Sequence, residues 1–402
     1  MRFTNPAKDK VAFAGVGRAQ YHRNLGSRDT PGANTLQACL AAILDAGLKP
    51  TDIDGVCGSM VNTQFVQESL GLGDITWFAN PELVFGNQLI AAINAIYSGS
   101  ATKVLVYHTT HIYPFQSKKA AADPYRQRAA GLEGRNSYGG FYGTGQLDSE
   151  PFGMSGPTPY AAWAARYLHQ YGVSRSELAL VPINAHTNGL KNPAAMKRFP
   201  LTLDQYLSQK MVREPLGIYD MDIVVDAADA FILTTTERAA DLKHKPVLIH
   251  TGTLGRASKS SDIGTLDLET TGQSVVAKRL RESSDIEITS TDLLYLYDGF
   301  SPIVLFWLEN LGFCPRGEAT RFLSANWDHN SQRISIGEKK VPLNSHGGSL
   351  VEGATQGAGH VMEAVRQLRG DADDRQVANA KSALVTPGGI LYNSQGFVLR
   401  TD

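Results

Sequence analysis

A block of strand and helix patterning occurs twice in this 402-residue chain, and that recurrence constrains the fold more than any single motif. In the first copy, the apolar run Lys10–Val16 reads as a buried strand, and Thr35–Ala46 carries apolar residues at helical spacing before stopping at Gly47. Thr51–Val56 follows, then a helix over Asn87–Tyr97 that stops near Gly99, then the strand Lys103–His108. In the second copy, Lys245–Gly252 repeats the first strand and Gln273–Leu280 the first helix. Thr291-Asp292-Leu293 stands where Thr51-Asp52-Ile53 stood, an offset of 240 residues, and a helix over Glu352–Leu368 precedes the strand Ala383–Thr386. Solenoid repeats run about 20–50 residues, so a period this long means two copies of one unit. Strands alternating with helices predict an α/β fold with largely parallel pairing, in two halves spanning residues 1–240 and 241–402.

Residues 109–219 break the pattern, being rich in Gly, Pro and Tyr at Asn136–Gly145 and Phe152–Pro159, with a helix expected over Pro159–Tyr171. Such a length exceeds an ordinary loop and predicts an inserted subdomain that covers a substrate, after which strand character returns at Ala230–Thr235. Lys and Arg number 38 against 39 Asp and Glu, so no global positive field exists to hold a nucleic-acid backbone. The three cysteines, Cys39, Cys57 and Cys314, form no C-x-x-C pair, which argues against a disulfide framework or a structural zinc of the chain's own. Met1–Lys10 is polar, and no stretch approaches the roughly 20 apolar residues of a spanning helix. A soluble cytoplasmic protein is expected.

Several familiar sites are missing. Gly15-Val16-Gly17 is followed by Arg18-Ala19-Gln20, which lacks the third glycine of a dinucleotide fingerprint, and no phosphate-binding G-x-x-x-x-G-K-[ST] occurs. No H-E-x-x-H or G-x-S-x-G is present either. Three segments remain as candidates. Leu294–Ser301 reads as a strand running into a turn ahead of a helix over Pro302–Leu311, so Tyr297 and Asp298 fall at a strand's C-terminal end, where open α/β sheets place their sites. Asn344-Ser345-His346-Gly347-Gly348 leads into Glu352-Gly353-Ala354-Thr355, glycines that let backbone amides approach an acyl or anionic group. Thr386-Pro387-Gly388-Gly389 follows the last strand of the second copy. Each residue also has a structural reading: Tyr297 as a core tyrosine, His346 as a loop brace, Asp298 as a cap on the following helix or a brace of the turn. Cys39 and Cys314 read as packing residues.

Tyr297-Asp298-Gly299-Phe300-Ser301 with Leu308–Cys314, Asn344–Gly348 with Val365–Gly370, Asp226–Ala230 and Arg166–His169 together resemble the thiolase superfamily, in its sterol-carrier-protein-x-like or lipid-transfer-protein branch. The resemblance covers nearly the whole chain. It implies a thiolase fold, with two α/β halves in five αβαβα layers and an inserted loop domain, homodimerisation through the first half, and an acyl-coenzyme A ligand. The thiolase cysteines have no counterpart: Glu82 falls at the nucleophile's place, Ala354 at the histidine's, and Val385 or Thr386 at the second cysteine's. A Cys-less member of this branch resembles the aldolases of steroid side-chain degradation, which implies a carbon–carbon lyase acting by retro-aldol cleavage of a bulky β-hydroxyacyl-CoA.

Tyr297 matches one of the tyrosines of those aldolases; with it, His346 and Glu82 are the expected catalytic residues, and Asp298, Gly347, Gly348, Glu352, Thr355, Gly388 and Gly389 the expected substrate-binding residues. A second aldolase tyrosine would lie at Ala354, leaving Thr355, His346, Tyr392, Tyr138 or Tyr142 to substitute for it. The aldolase relatives imply a zinc-ribbon/OB-fold companion in a heterotetramer, with zinc held only by that companion and the coenzyme A thioester as substrate. The alternatives are a non-catalytic acyl-CoA-binding or lipid-transfer protein, and an acyltransferase that needs no cysteine.

Overall fold

The computed structural model describes residues 5–23, 30–81, 85–111, 157–257, 268, 271–389 and 394–401. The chain divides into two compact units, one of Asp9–Asp148 with Val224–Leu248, the other of Met1–Lys8, Ser149–Ile223 and Ile249–Asp402. The described residues of the insertion from 157 onward thus belong to the same unit as the second copy of the pattern.

In the first unit, β1 (Val11–Arg18) leads to α1 (Pro31–Asp45), followed by β2 (Gly55–Gly58), β3 (Trp77–Ala79), α2 (Phe85–Tyr97), β4 (Lys103–Thr110) and β5 (Ala227–Thr235) among its elements. The strand order is β3-β2-β4-β5-β1. β2 runs parallel to both β3 and β4, whereas β5 runs antiparallel to both β4 and β1. The expected parallel pairing is therefore corrected to a mixed sheet, because the long insertion lets the chain return in the opposite sense. Gly15 and Gly17 serve packing: a Cβ on either would lie 2.3 Å from the Ala42 carbonyl oxygen or 2.2 Å from that of Ala38, so α1 can rest on β1 only where side chains are absent.

The second unit holds α3 (Thr158–Tyr171) and α4 (Leu180–Gly189) from the insertion, β6 (Val247–Gly255) from Ile249 onward, α5 (Gly272–Ser283), β7 (Leu293–Leu296), α6 (Ser301–Asn310), α7 (Ala358–Arg369), β8 (Ser382–Thr386) and β9 (Ser394–Arg400). Its strands follow the order β6-β9-β8-β7, with β8 parallel to β7 and antiparallel to β9. α6 is buried from Ser301 to Leu308, packed among α3, α4, α5 and the sheet in one apolar core. Burying each of its Ile, Val, Leu and Phe side chains stabilises the fold by about 1.5–3 kcal/mol before chain entropy is counted. The helix expected over Glu352–Leu368 begins only at Ala358, because Gly353 (φ 153°) and Gly357 (φ 90°) turn the chain out of helical geometry first. No helix among the described residues is long and apolar enough to cross a membrane.

The two copies share a device as well as an order. Asp54, just before β2, accepts the backbone N–H groups of Thr102 and Lys103 at 2.9 and 2.7 Å, tying down the start of β4. Asp292, just before β7, accepts those of Lys381 and Ser382 at 2.8 and 3.0 Å, at the start of β8. The structural offset is thus 238 residues, 54 to 292, two fewer than the match of Thr51 to Thr291.

Candidate functional site

The site is built where β7 leaves the sheet. The Tyr297 N–H still donates to the Thr386 carbonyl at 3.1 Å, after which the chain turns away. Gly299 makes room for the phenol: a Cβ there would lie 2.7 Å from the Tyr297 hydroxyl. Asp298 is 1% exposed, and its Oδ1 accepts the Ser349 N–H at 2.7 Å and lies 3.1 Å from His360 Nε2. The expected cap on the following helix is therefore corrected. α6 has no side-chain cap, and Asp298 reaches across to the turn at Gly348 instead.

That turn is shaped by side-chain amides and glycines. Asn344 mimics a strand neighbour, its Oδ1 accepting the Leu296 N–H at 2.9 Å while its Nδ2 donates to the Leu296 carbonyl at 2.8 Å. Gly348 has φ +65°, and a Cβ there would stand 1.8 Å from Asp298 Oδ2, so only glycine admits the carboxylate. His346 is 0% exposed, with its ring edge-on to His360 at 4.7 Å between centroids and 5.6 Å from Tyr295. Tyr297 sits 5.9 Å from the same His360 ring. Tyr297, Asp298 and His346 are thus gathered around one histidine that the sequence reading did not single out.

The other expected residues surround this group. Glu352 is buried and accepts from Asn192 Nδ2 at 2.9 Å, and Thr355 Oγ1 accepts the Gly359 N–H at 2.9 Å at the start of α7. Gly347 (φ +98°) lies against α4, where a Cβ would come 3.0 Å from Gly189 Cα. The carbonyls of Gly388 and Gly389 accept from Trp307 Nε1 and Ser394 Oγ at 3.3 and 2.9 Å. Glu82, Tyr138, Tyr142 and Tyr392 lie outside the described residues.

Sequence reasoning missed two further groups. Asn184, Asn188 and Asn192, four residues apart and nearly fully buried, hold the segment from below. Asn184 and Asn188 both donate to the Leu343 carbonyl, at 3.1 and 2.8 Å, and Asn192 to that of His346 at 2.8 Å. Their spacing of four was the available signal, since it puts the amides of Asn184 and Asn188 on one stripe of α4, with Asn192 just past the helix end. The other is Asp222, in a short segment threaded between two turns. Its N–H donates to the Gly299 carbonyl at 3.0 Å, the Ile223 N–H donates to that of Ser349 at 3.1 Å, and the Ile223 carbonyl accepts the Ala354 N–H at 2.7 Å. Burial, and then the charge on Asp298, push the Asp222 carboxyl up to about 7, against the pull of Lys197. Asp220 anchors this segment by accepting from Tyr206 and Ser301, both at 2.7 Å.

No cysteine joins the group. Burial pushes the Cys57 thiol up to about 12 and that of Cys39 further, and burial followed by the charges of Glu309 and Glu318 pushes Cys314 up to about 12. The arrangement offers a phenol, two imidazoles and two carboxyls at a strand end, a set suited to moving protons beside a polarised carbonyl.

Residues 255–401 match the family described as thiolase C-terminal domain-like. The chain is 31% identical to a steroid side-chain-cleaving aldolase of Thermomonospora curvata, over 98% of each protein. It is 29% identical to the 17-hydroxy-3-oxo-4-pregnene-20-carboxyl-CoA lyase of Mycobacterium tuberculosis, over 94% of this chain and 96% of that one. Among solved structures, the Ltp2-ChsH2(DUF35) aldolase superposes with a TM-score of 0.82 at 28% identity, covering 98% of this chain and 99% of that one. Human mitochondrial 3-ketoacyl-CoA thiolase in complex with CoA superposes with a TM-score of 0.67 at 14% identity over the full length of both, a likeness of fold.

Proposed function

The chain belongs to the sterol-carrier-protein-2-like aldolase branch of the thiolase superfamily, and from that membership we propose that it is a carbon–carbon lyase cleaving a steroid-type β-hydroxyacyl-CoA by a retro-aldol reaction. The observation that carries the proposal is the gathering of Tyr297, His346, His360 and Asp298 at the end of β7 in a site with no cysteine. Thiolysis needs a thiolate nucleophile; a retro-aldol cleavage needs a base for the β-hydroxyl proton and donors for the enolate forming on the thioester. Tyr297 takes the hydroxyl proton, and His346 with the Gly347 and Gly348 amides polarises the thioester carbonyl. Glu82 contributes a carboxylate at the place of the thiolase nucleophile. Asp298, Glu352, Thr355, Gly388 and Gly389 shape the substrate's surroundings, Asp298 by fixing the Gly348 turn and His360.

The solved aldolase carries a companion in its name, and on this reading the present chain works with one too. That companion is a zinc-ribbon/OB-fold protein that holds the zinc, and two copies of each protein form a heterotetramer around a homodimer of this chain. The coenzyme A thioester is the substrate, and the chain carries no cofactor of its own. The test is incubation with 17-hydroxy-3-oxo-4-pregnene-20-carboxyl-CoA, with and without the companion. A 17-ketone and propionyl-CoA in equal amounts support the lyase. Tight binding without turnover in both preparations would leave a carrier of acyl-CoA instead.

A further inference from the structure

A retro-aldol cleavage has two proton transfers, and the proposed assignments cover only the first. When the bond between the α and β carbons breaks, its electron pair enters the thioester as an enolate, and a second group must return a proton to the α carbon. That acid must carry its proton at neutral pH and must be recharged from water between turnovers. His346 is 0% exposed, Asp298 is 1% exposed with Oδ1 already shared by Ser349 and His360, and Glu352 is 3% exposed and held by Asn192. Asp222 differs from all three in being half-buried.

Its position follows from three backbone hydrogen bonds. They fix residues 222 and 223 against Gly299, two residues beyond Tyr297, and against Ser349 and Ala354 on the glycine turn. Ala354 has a methyl group where a proton donor could have stood, and Asp222 precedes the residue that pairs with it. The carboxyl is close enough to Asp298 and Lys197 to feel both charges. An ordinary aspartic acid with a pKa near 3.9 would be ionised and unable to donate at neutral pH. Burial beside Asp298 removes that obstacle.

We propose that Asp222 is the acid of the reaction, donating the proton that converts the enolate into the shorter acyl-CoA, an assignment that rests on the lyase reading. The step balances without a further reactant. The enolate electron pair forms the new C–H bond, Asp222 is left as carboxylate, and it regains a proton from water as the hydroxyl proton is released to water.

The same carboxylate must run the step in reverse, which gives a test independent of cleavage. Propionyl-CoA incubated with the protein in D2O exchanges its α hydrogens, read by mass spectrometry. Asp222→Asn lowers that exchange and the release of the 17-ketone by about 10²–10⁴-fold while the melting temperature is held. Should the amide variant not fold, Asp222→Ala is read in the same way, with formate restoring part of its exchange. Either folded variant exchanging at the wild-type rate overturns the assignment and leaves the lyase reading in place. Wild-type protein that exchanges, loses exchange in Asp222→Asn, yet releases no ketone overturns the lyase reading alone. Wild-type protein that does neither overturns both.

Discussion

Around His360, single atoms decide what the site can do. Tyr297→Phe removes one hydroxyl from a ring held by the sheet and by Gly299, so ketone release falls by about 10²–10⁴-fold, as expected for loss of a general base, while calorimetry finds the melting temperature unchanged. Gly348→Ala acts the other way. The added methyl meets Asp298 Oδ2 at 1.8 Å on a left-handed backbone, so stability falls by about 1–3 kcal/mol and activity falls with it. Tyr297, Asp298 and His346 were legible because a strand end and a glycine turn announce themselves in sequence. Asp222 and His360 were not, because each enters the group through pairing with residues far away in the chain, as with Ile223 and Ala354, and local pattern carries no trace of that.

Elements were legible where apolar period and breakers agree. α1, α2 and α6 fall within a few residues of their expected bounds, and the recurrence of strand and helix is real. What the pattern misplaced was register: the match of threonines at 51 and 291 is two residues off the carboxylates that perform the same task, Asp54 and Asp292. Burial raises the Asp292 pKa, but the Lys339 ammonium, the Lys381 N–H and the Ser382 hydroxyl outweigh it and hold the carboxyl below its ordinary value. A carboxylate with a lowered folded-state pKa stabilises above its unfolded pKa and loses that contribution as pH falls through the folded value. Asp292→Asn therefore costs about 1–3 kcal/mol in urea titrations at pH 7, and the gap from wild type narrows below about pH 4. A gap that stays constant down to pH 2 would assign the effect to shape rather than charge. Asn192→Ala tests the other element-level device, the amide stripe under the site. It removes the donor to the His346 carbonyl and to Glu352, so stability falls by about 1–3 kcal/mol and activity by more than Gln at the same position causes.

At the scale of the whole chain, near-neutral charge and three cysteines first served only to exclude partners and cofactors. With the fold known, the cysteines say more: burial raises the Cys57 and Cys314 thiols well above an ordinary thiol, so neither is held as the reactive thiolate at pH 7. Iodoacetamide at pH 7 therefore leaves ketone release unchanged, and inactivation at the rate of free cysteine would mean that a thiol takes part. Metal chemistry is the test that separates this chain from the proposed companion. Among the described residues no three His, Cys, Asp or Glu side chains are grouped to hold an ion, and on the proposed reading the zinc belongs to the companion. A chelator then leaves the melting temperature of this chain alone unmoved. On that proposal, a chelator added to this chain together with the companion unfolds the companion's zinc ribbon, because structural zinc contributes directly to the folding of so small a domain. Activity that depends on the companion falls as that domain melts and returns with added zinc. A chelator that lowers the melting temperature of the isolated chain would instead place a metal within it.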